Sequence, residues 1–393
     1  MNHKEILWLA SWYPNEKNPV AGDFIQRHAI AVSAYRKLTV IYLDQSGWES
    51  TGSTDNTIVT VKENLTEIRS FFYFTGTGIP LADRLLYNLA YYRKYKNLLR
   101  DYFLEKGSPE IIHVHVPMKA GKLAIWVKQK WGIPYIISEQ SSAYLPTAPD
   151  HFYNRSAYYR HMVKKIFREA AAATNVSATI GKILEKITGI KSIRVIHNTV
   201  DPLNFFYTPA ALKKFRFIHV STMNEQKNIK GLLDAFDALA AIRDDWELRL
   251  VGPVSSSLQH MLDHLAWSEK VTCSGELPYA QVAIEMQQAS AFVLFSRHEN
   301  FPCVIVEALS CGLPVITSDA GGAGEAINKN NGLIVPVDDT KKMTSAMIYM
   351  LDHFDDFNQY KIALDAKARY SYPVIGKQFA ALYQEIGEKF VKP

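Results

Sequence analysis

Short apolar runs alternate with amphipathic stretches along the whole chain, and this alternation constrains the fold more than any other feature. Apolar runs at 6–11, 38–43, 111–115, 135–138, 171–177 and 193–196 predict buried strands, with helical periodicity between them near 23–33, 83–103, 120–131, 156–169 and 180–187. The second half repeats the scheme. Its strands are predicted at 215–221, 246–251, 271–274, 291–295, 315–317 and 333–335, and helical patterns such as 230–242, 281–288 and 341–351 fill the gaps. Parallel neighbours need a crossover connection, which a helix supplies, so strands alternating with helices predict parallel sheets. Two sets of six such strands predict an α/β fold of two Rossmann-like domains facing each other across a cleft. The stretch 198–215 holds Asp201-Pro202 and Thr208-Pro209 without periodicity and reads as the linker, which sets domains of 1–198 and 199–372. Residues 45–80, polar and rich in Thr, Gly and Ser, read as a loop-rich excursion at the edge of the first domain.

The length of 393 residues allows two to three domains, and 48% hydrophobic with 21% charged residues is the make-up of an ordinary globular chain. No run of 18 apolar residues is present, which excludes a hydrophobic membrane-spanning helix, and the apolar stretch after Met1 reads as a first strand rather than a signal peptide. Cys273, Cys303 and Cys311 cannot form a complete disulfide set and read as reduced core residues, which predicts a cytoplasmic location. The net charge of +5 hides an asymmetry: residues 1–200 carry 26 Lys and Arg against 16 Asp and Glu, a net of +10, and the remainder is net −5. A basic half joined to an acidic half suggests two domains with different partners.

The stretch Glu299-Asn300-Phe301-Pro302-Cys303-Val304-Ile305-Val306-Glu307 brackets seven residues between two carboxylates. It follows the apolar run 291–295 and leads into a helix that stops at Gly312. A strand ending in an acidic loop that opens a helix is where α/β proteins bind ligands. The two acids would lie roughly 12 Å apart by helical rise, which suits two ends of one extended ligand. Glycosidase carboxylates lie closer, roughly 5–9.5 Å apart.

The acid pair resembles the E-x7-E signature of the retaining glycosyltransferases of family 4, which use nucleotide sugars. Asn198-Thr199-Val200-Asp201 is similar to that family's "PNGVD" segment before the linker, and Asn331-Gly332-Leu333-Ile334-Val335-Pro336 is similar to its "NGLLVP" strand. The resemblance covers nearly the whole chain. It implies the glycosyltransferase-B architecture, with the C-terminal helix, 373–393, packing back on the first domain. It also implies transfer of a hexose from a UDP- or GDP-sugar to a glycan or lipid-diphosphate-linked acceptor, in bacterial polysaccharide, lipopolysaccharide or capsule synthesis, with neither metal nor cofactor.

A nucleotide sugar needs cations or backbone N–H groups for its diphosphate and carboxylates for its hydroxyls. Lys227 matches the family lysine that contacts the donor diphosphate, where a fixed cation would stabilise the leaving group. The alternative is a solvated loop lysine. The family's arginine in the same segment is Thr222 here, so Lys227 acts with backbone N–H groups or Arg297 compensates. Glu299 is expected to accept from donor sugar hydroxyls, with the N–H groups of Asn300, Phe301 and Cys303 near sugar and phosphate, and Glu307 to bind the ribose. Gly321 and Gly322, after the strand 315–317, let backbone N–H groups approach phosphate, as the family's Gly-Gly does; a plain flexible turn is the other reading.

In the first domain, Gly22 precedes the first helix and permits close approach across the cleft. His113 reads by alternation as a core residue, whereas His115 could face the cleft. The family often has a histidine where this chain has Gln140, which puts a side-chain base there in doubt. The resemblance implies a front-face reaction that needs no such base.

Segments 91–96 and 158–165 mix tyrosines with Arg and Lys on predicted helices. That mixture suits peripheral contact with an anionic membrane on its inner face, or a lipid-diphosphate acceptor; the alternative is a solvated helix with tyrosines packed inside. A sugar epimerase or phosphorylase of the same architecture, and a non-catalytic nucleotide-sugar binding protein, remain competing functions. No nucleic-acid motif appears and no G-x-G-x-x-G opens either half, so nucleic-acid binding and nicotinamide chemistry are not expected.

Overall fold

The computed structural model describes residues 4–16, 18–45, 56–209 and 213–390. The first sheet contains β1 (Ile6–Ala10), β2 (Leu38–Gln45), β3 (Asn56–Lys62), β4 (Leu65–Phe72), β5 (Ile111–His115), β6 (Tyr135–Glu139), β7 (Ala172–Asn175) and β8 (Arg194–Val195). Their order across the sheet is β3-β4-β2-β1-β5-β6-β7-β8. Every pairing is parallel except that of β3 with β4. The second sheet contains β9 (Phe215–Val220), β10 (Trp246–Val251), β11 (Val271–Cys273), β12 (Ala291–Leu294), β13 (Val315–Ser318) and β14 (Gly332–Val335), in the order β11-β10-β9-β12-β13-β14 and parallel throughout. The chain is thus α/β with two parallel-sheet domains.

Side-chain alternation on β1 explains the layering. Leu7 and Leu9 enter a core shared with the helices Pro80–Lys106, Ala120–Trp131, Ala157–Glu169 and Ala178–Thr188. Ile6, Trp8 and Ala10 enter a second core on the opposite face, shared with the helices Asp23–Ser33 and Tyr372–Phe390. The last helix thereby lies on the first domain, where its Tyr383 hydroxyl accepts from Trp8 Nε1 at 3.1 Å and contacts His113 Nδ1 at 2.7 Å.

One expectation fails. Residues 56–72 form an antiparallel hairpin rather than a loop-rich excursion, and β4 pairs with β2 in parallel over eight residues. The segment is polar because β3 is a sheet-edge strand with mostly exposed side chains, so burial never imposed an apolar pattern on it. Residues 46–55 of that excursion lie outside the described residues, as do 391–393 of the predicted helix 373–393; the observed helix is Tyr372–Phe390.

The strand order reverses between β1 and β5 in the first sheet and between β9 and β12 in the second. Ligands of open parallel sheets bind at the carboxyl ends of the strands beside such reversals.

Candidate active site

The loops at the second sheet's reversal hold Lys227 and Glu299, two of the residues singled out in the sequence. Beyond β9 the chain makes a short 3-10 turn, Glu225–Lys227, capped by the Asn224 side chain, and Lys227 ends it. Beyond β12 it runs through Arg297 and His298 to Glu299. Lys227 Nζ meets Glu299 Oε1 at 2.5 Å. Both side chains are largely shielded, at 15% and 8% exposure, so this pair is not an ordinary surface contact. Glu299 is fixed by the next loop as well: its N–H donates to the Ala320 carbonyl at 3.1 Å and its own carbonyl accepts from Gly322 N–H at 3.3 Å.

The two glycines explain that approach. Gly321 has φ of +71°, and a Cβ there would sit 2.4 Å from the Glu299 carbonyl oxygen; at Gly322 it would sit 1.8 Å from that of Asn300. What Gly321 and Gly322 admit in this structure is the acidic loop itself, together with Leu145 and Ser177 of the first domain. Helix Cys303–Ser310 begins directly after Pro302 with no side-chain cap, so its first N–H groups remain available to an anion. Burial pushes the Cys303 thiol up to about 12.

Arg297 is spent elsewhere. Its Nε donates to Asp338 at 3.0 Å, Nη1 to the Glu225 carbonyl at 2.9 Å and Nη2 to Asn228 Oδ1 at 3.0 Å. It pins the 225–228 turn that presents Lys227 rather than joining the Lys227–Glu299 pair. Thr222 is exposed on the same loop. Asn300 and Phe301 act as struts: Asn300 Oδ1 accepts from Ser177 Oγ at 2.6 Å, and the Phe301 ring stacks on His197 at 4.4 Å.

Glu307 is buried and already partnered. Arg27, from helix Asp23–Ser33 of the first domain, places Nη1 2.5 Å from Glu307 Oε1 and 2.9 Å from the Tyr279 hydroxyl. Tyr279 in turn donates to the same Oε1 at 3.3 Å. Burial raises the Glu307 pKa, and the Arg27 guanidinium is the main counterweight. A second carboxylate also crosses the cleft: Glu325 accepts from the N–H groups of Ala178 and Thr179 at 2.8 and 2.7 Å, capping a first-domain helix from the second domain. Sequence reasoning missed Arg27, Tyr279 and Glu325 because each meaning depends on the facing lobe. The only local signal was Asp23 and Arg27 spaced i, i+4 on a helix.

The first domain's residues behave differently from expectation. Gly22 is left-handed, with φ of 67°, and its close neighbour is Trp12 of its own loop. His115 is not open to the cleft: it is fully buried, its ring lies 4.0 Å from Trp8 and 4.1 Å from His113, and the Gln140 side chain lies beside it. Burial holds its pKa well below the ordinary value. His115 ends β5 beside Ala10, on the Trp8 face of the sheet, and the helices Asp23–Ser33 and Tyr372–Phe390 cover that face. His113 is a satisfied core residue, bonded to Tyr383 and Ser138. Gln140 is nearly buried, with Nε2 3.3 Å from His28 Nδ1. Next to it, Glu139 accepts from the N–H groups of Gln140 and Ser141 and from the Tyr144 hydroxyl, so this buried carboxylate holds the loop together. In the segment 91–96, Tyr91 and Tyr95 are buried, so those tyrosines pack inward.

A recess of about 640 Å³ lined by Lys213, Phe215, Asp244 and Asp352 opens at the start of β9. That is the edge opposite the Lys227–Glu299 pair and the wrong end of the sheet for ligand binding.

Two parallel-sheet lobes joined by a crossing C-terminal helix, with charged loops at facing strand reversals, define a glycosyltransferase-B protein. The family model described as "Glycosyltransferase Family 4" matches residues 42–202 and that described as "Glycosyl transferases group 1" matches 201–361. The chain belongs to the family 4 glycosyltransferases. It is 29% identical to the O-antigen chain mannosyltransferase RfbU of Salmonella typhimurium over 55% of this chain and 62% of that one. It is 24% identical to the N-acetyl-alpha-D-glucosaminyl L-malate synthase of Bacillus anthracis over 63% and 66%. The chain thus spans less than two thirds of the length of these relatives. Among solved structures, a sucrose-phosphate synthase from Thermosynechococcus elongatus aligns with a TM-score of 0.77 at 16% identity, covering 98% of this chain and 100% of that one. HepE of Anabaena in complex with UDP-glucose aligns at 0.71 and 17%, over 98% and 100%. At such identities these likenesses establish the fold.

Proposed function

We propose that this chain transfers a hexose from a UDP- or GDP-sugar to a glycan or lipid-diphosphate-linked acceptor in bacterial surface-polysaccharide synthesis, with retention and without a metal, at the inner face of the membrane. The observation that carries the reading is the Lys227–Glu299 pair at the second sheet's strand reversal, beside the uncapped start of helix Cys303–Ser310. The carboxylate suits sugar hydroxyls, and the lysine and the N–H groups suit a diphosphate. Lys227 and Glu299 satisfy each other in the free chain, so donor binding exchanges that pair for contacts to diphosphate and sugar. At Glu307, Arg27 and Tyr279 both occupy Oε1, which leaves Oε2 for a ribose hydroxyl.

The proposed reaction is the front-face transfer that the family resemblance implies. The acceptor oxygen attacks the anomeric carbon, the bond from that carbon to the diphosphate oxygen breaks, and its electron pair stays on the diphosphate. With Glu139 committed to its loop and His115 buried, the acceptor proton passes to a donor phosphate oxygen. Catalysis then rests on positioning and on stabilising the leaving diphosphate. The relatives support the biosynthetic setting, since RfbU is named for O-antigen chain synthesis.

The test is a thermal-shift panel of nucleotide sugars followed by turnover with the donor found. A true donor at 100 times its dissociation constant adds about 2.7 kcal/mol. Glu299→Ala is expected to lose mainly turnover, and Lys227→Ala both turnover and donor affinity. Wild-type kinetics in either variant would refute the assignment.

A further inference from the structure

We propose that His298 reads the transferred hexose alongside Glu299, its Nδ1 forming a hydrogen bond with a second ring hydroxyl of the donor sugar; this rests on the transferase reading of the same site. His298 stands between Arg297 and Glu299 on the loop beyond β12. The backbone around it is clamped. Arg297 N–H donates to the Gln226 carbonyl at 2.8 Å, the His298 carbonyl accepts from Gln226 Nε2 at 2.7 Å, and Glu299 N–H donates to the Ala320 carbonyl at 3.1 Å. The turn Glu225–Lys227 therefore fixes His298 as well as Lys227, and the imidazole projects from a rigid base.

The side chain itself is left open. His298 is 8% exposed, and its Nδ1 is buried with no hydrogen-bond partner among the described residues. Elsewhere the chain satisfies its buried imidazoles. His28 meets the His197 carbonyl and Gln140, His113 meets Tyr383 and Ser138, and His219 meets the Val293 carbonyl and Ser221, each through both ring nitrogens. His115 has the Gln140 side chain beside it. A buried polar atom without a partner is destabilising, and an open one on the donor loop points to a ligand that completes it.

The surroundings identify that ligand. After burial, the strongest influences on the ring are the Glu299 carboxylate and the Lys227 ammonium, followed by Asp150 on the facing lobe and Arg297. The ring thus lies within electrostatic reach of the pair assigned to sugar and diphosphate, at the seam between the lobes. Burial holds its pKa below the ordinary value of 6.5, so at neutral pH the ring is uncharged, with one nitrogen donating and the other accepting. An uncharged group of this kind adds little at a diphosphate and suits a hydroxyl, which also donates and accepts. Donor binding exchanges the Lys227–Glu299 pair for ligand contacts, and the same exchange gives Nδ1 its partner. Selectivity follows: a donor lacking that hydroxyl, or carrying it in the opposite configuration, leaves Nδ1 open and binds less well.

The test sets nucleotide sugar against bare nucleotide. Calorimetric titration of the full chain with UDP-glucose, UDP-galactose, UDP-N-acetylglucosamine and GDP-mannose finds the donor, and UDP or GDP is titrated beside it. His298→Leu is expected to weaken the nucleotide sugar about three- to tenfold and to leave the bare diphosphate unchanged. Lys227→Ala is expected to weaken both. His298→Asn, whose amide nitrogen can stand in for Nδ1, is expected to recover most of the sugar-dependent affinity. The thermal midpoint of the free His298→Leu chain should not fall, because Nδ1 has no protein bond to lose. Equal affinity of wild type and His298→Leu for the nucleotide sugar overturns the proposal, as does an equal loss for sugar and bare nucleotide. So does a raised acceptor KM at unchanged donor affinity, which would assign the ring to the acceptor. A turnover loss of about a hundredfold or more with both affinities intact would make it a base and also overturns the proposal. A wild-type chain that binds neither UDP, GDP nor any of their sugars fells the transferase reading and this inference with it; donor binding indifferent to His298 sinks this inference alone.

Discussion

Removing the Arg27 guanidinium should leave Glu307 as a buried carboxylate with no cation beside it. Arg27→Met keeps most of the apolar stem and deletes the 2.5 Å ion pair and the 2.9 Å bond to Tyr279. The bond to Asp23 also goes, but Asp23 is 34% exposed and that loss is minor. Breaking a buried pair by removing one partner costs about 3–5 kcal/mol when the orphaned charge cannot escape. Glu307 can escape by taking up a proton, because burial, the largest influence on it, already raises its pKa. Holding a carboxyl of ordinary pKa 4.5 neutral at pH 7 costs about 3.4 kcal/mol, and this caps the loss.

The cap gives the variant a signature in pH. A folded carboxyl with a raised pKa keeps its proton while the unfolded chain releases it above 4.5, so the variant's deficit grows with pH. Relative to wild type, the expected loss is up to about 3.4 kcal/mol at pH 7, about 2 at pH 6 and about 0.8 at pH 5. Urea unfolding of both proteins at the three pH values, followed by fluorescence of the buried Trp246 and Trp267 in the same lobe as Glu307, measures the difference. Comparison at each pH cancels titrations common to both. A deficit below about 1 kcal/mol at pH 7, or one flat from pH 5 to 7, would refute the argument that Arg27 compensates a buried charge.

Gly322→Ala forces a methyl to 1.8 Å from the Asn300 carbonyl and 2.6 Å from Ser177 Cβ, so the acidic loop must move; a cost of about 1–3 kcal/mol and a reduced kcat/KM are expected, and an unchanged melting temperature with normal kinetics would count against it. Acid should destabilise the chain through its buried neutral histidines: burial lowers His28 and His219 to about 4 and holds His113 and His115 well below the ordinary value. The unfolded chain binds these protons first, so stability is complete above pH 6.5 and falls as pH drops towards 4. At pH 5.5 the loss is about 1.4 kcal/mol per histidine, on the order of 5 kcal/mol for the four, and equal unfolding midpoints at pH 8 and 5.5 would contradict it. Under the proposed function Lys227 and backbone N–H groups would serve the diphosphate in place of a metal, so chelator is expected to leave turnover unchanged; loss of activity that divalent metal restores would refute that role.

What the sequence made legible follows from where burial acts. Central strands such as β1, β5, β9 and β12 are covered on both faces, so their apolar runs report position whatever surrounds them. The hairpin β3–β4 carries an edge strand, and its polar side chains left no such run to find. Lys227 and Glu299 could each be singled out, by the family resemblance and by their places on loops at strand ends of one lobe, although their pairing across 72 residues was not expected. Nor could the Arg27–Glu307 pair be anticipated, since its members lie 280 residues apart and face each other only when two lobes close. The same separation gives Arg27 a meaning that neither lobe contains alone. A carboxylate assigned to the ribose is held ionised by a cation from the opposite domain, so opening the cleft strips Glu307 of its counter-charge and disfavours the anion that a ribose hydroxyl would meet. Under the proposed function, donor recognition and lobe closure would be coupled through one buried guanidinium, and the pH signature of Arg27→Met tests the charge compensation on which that coupling depends, without any substrate present.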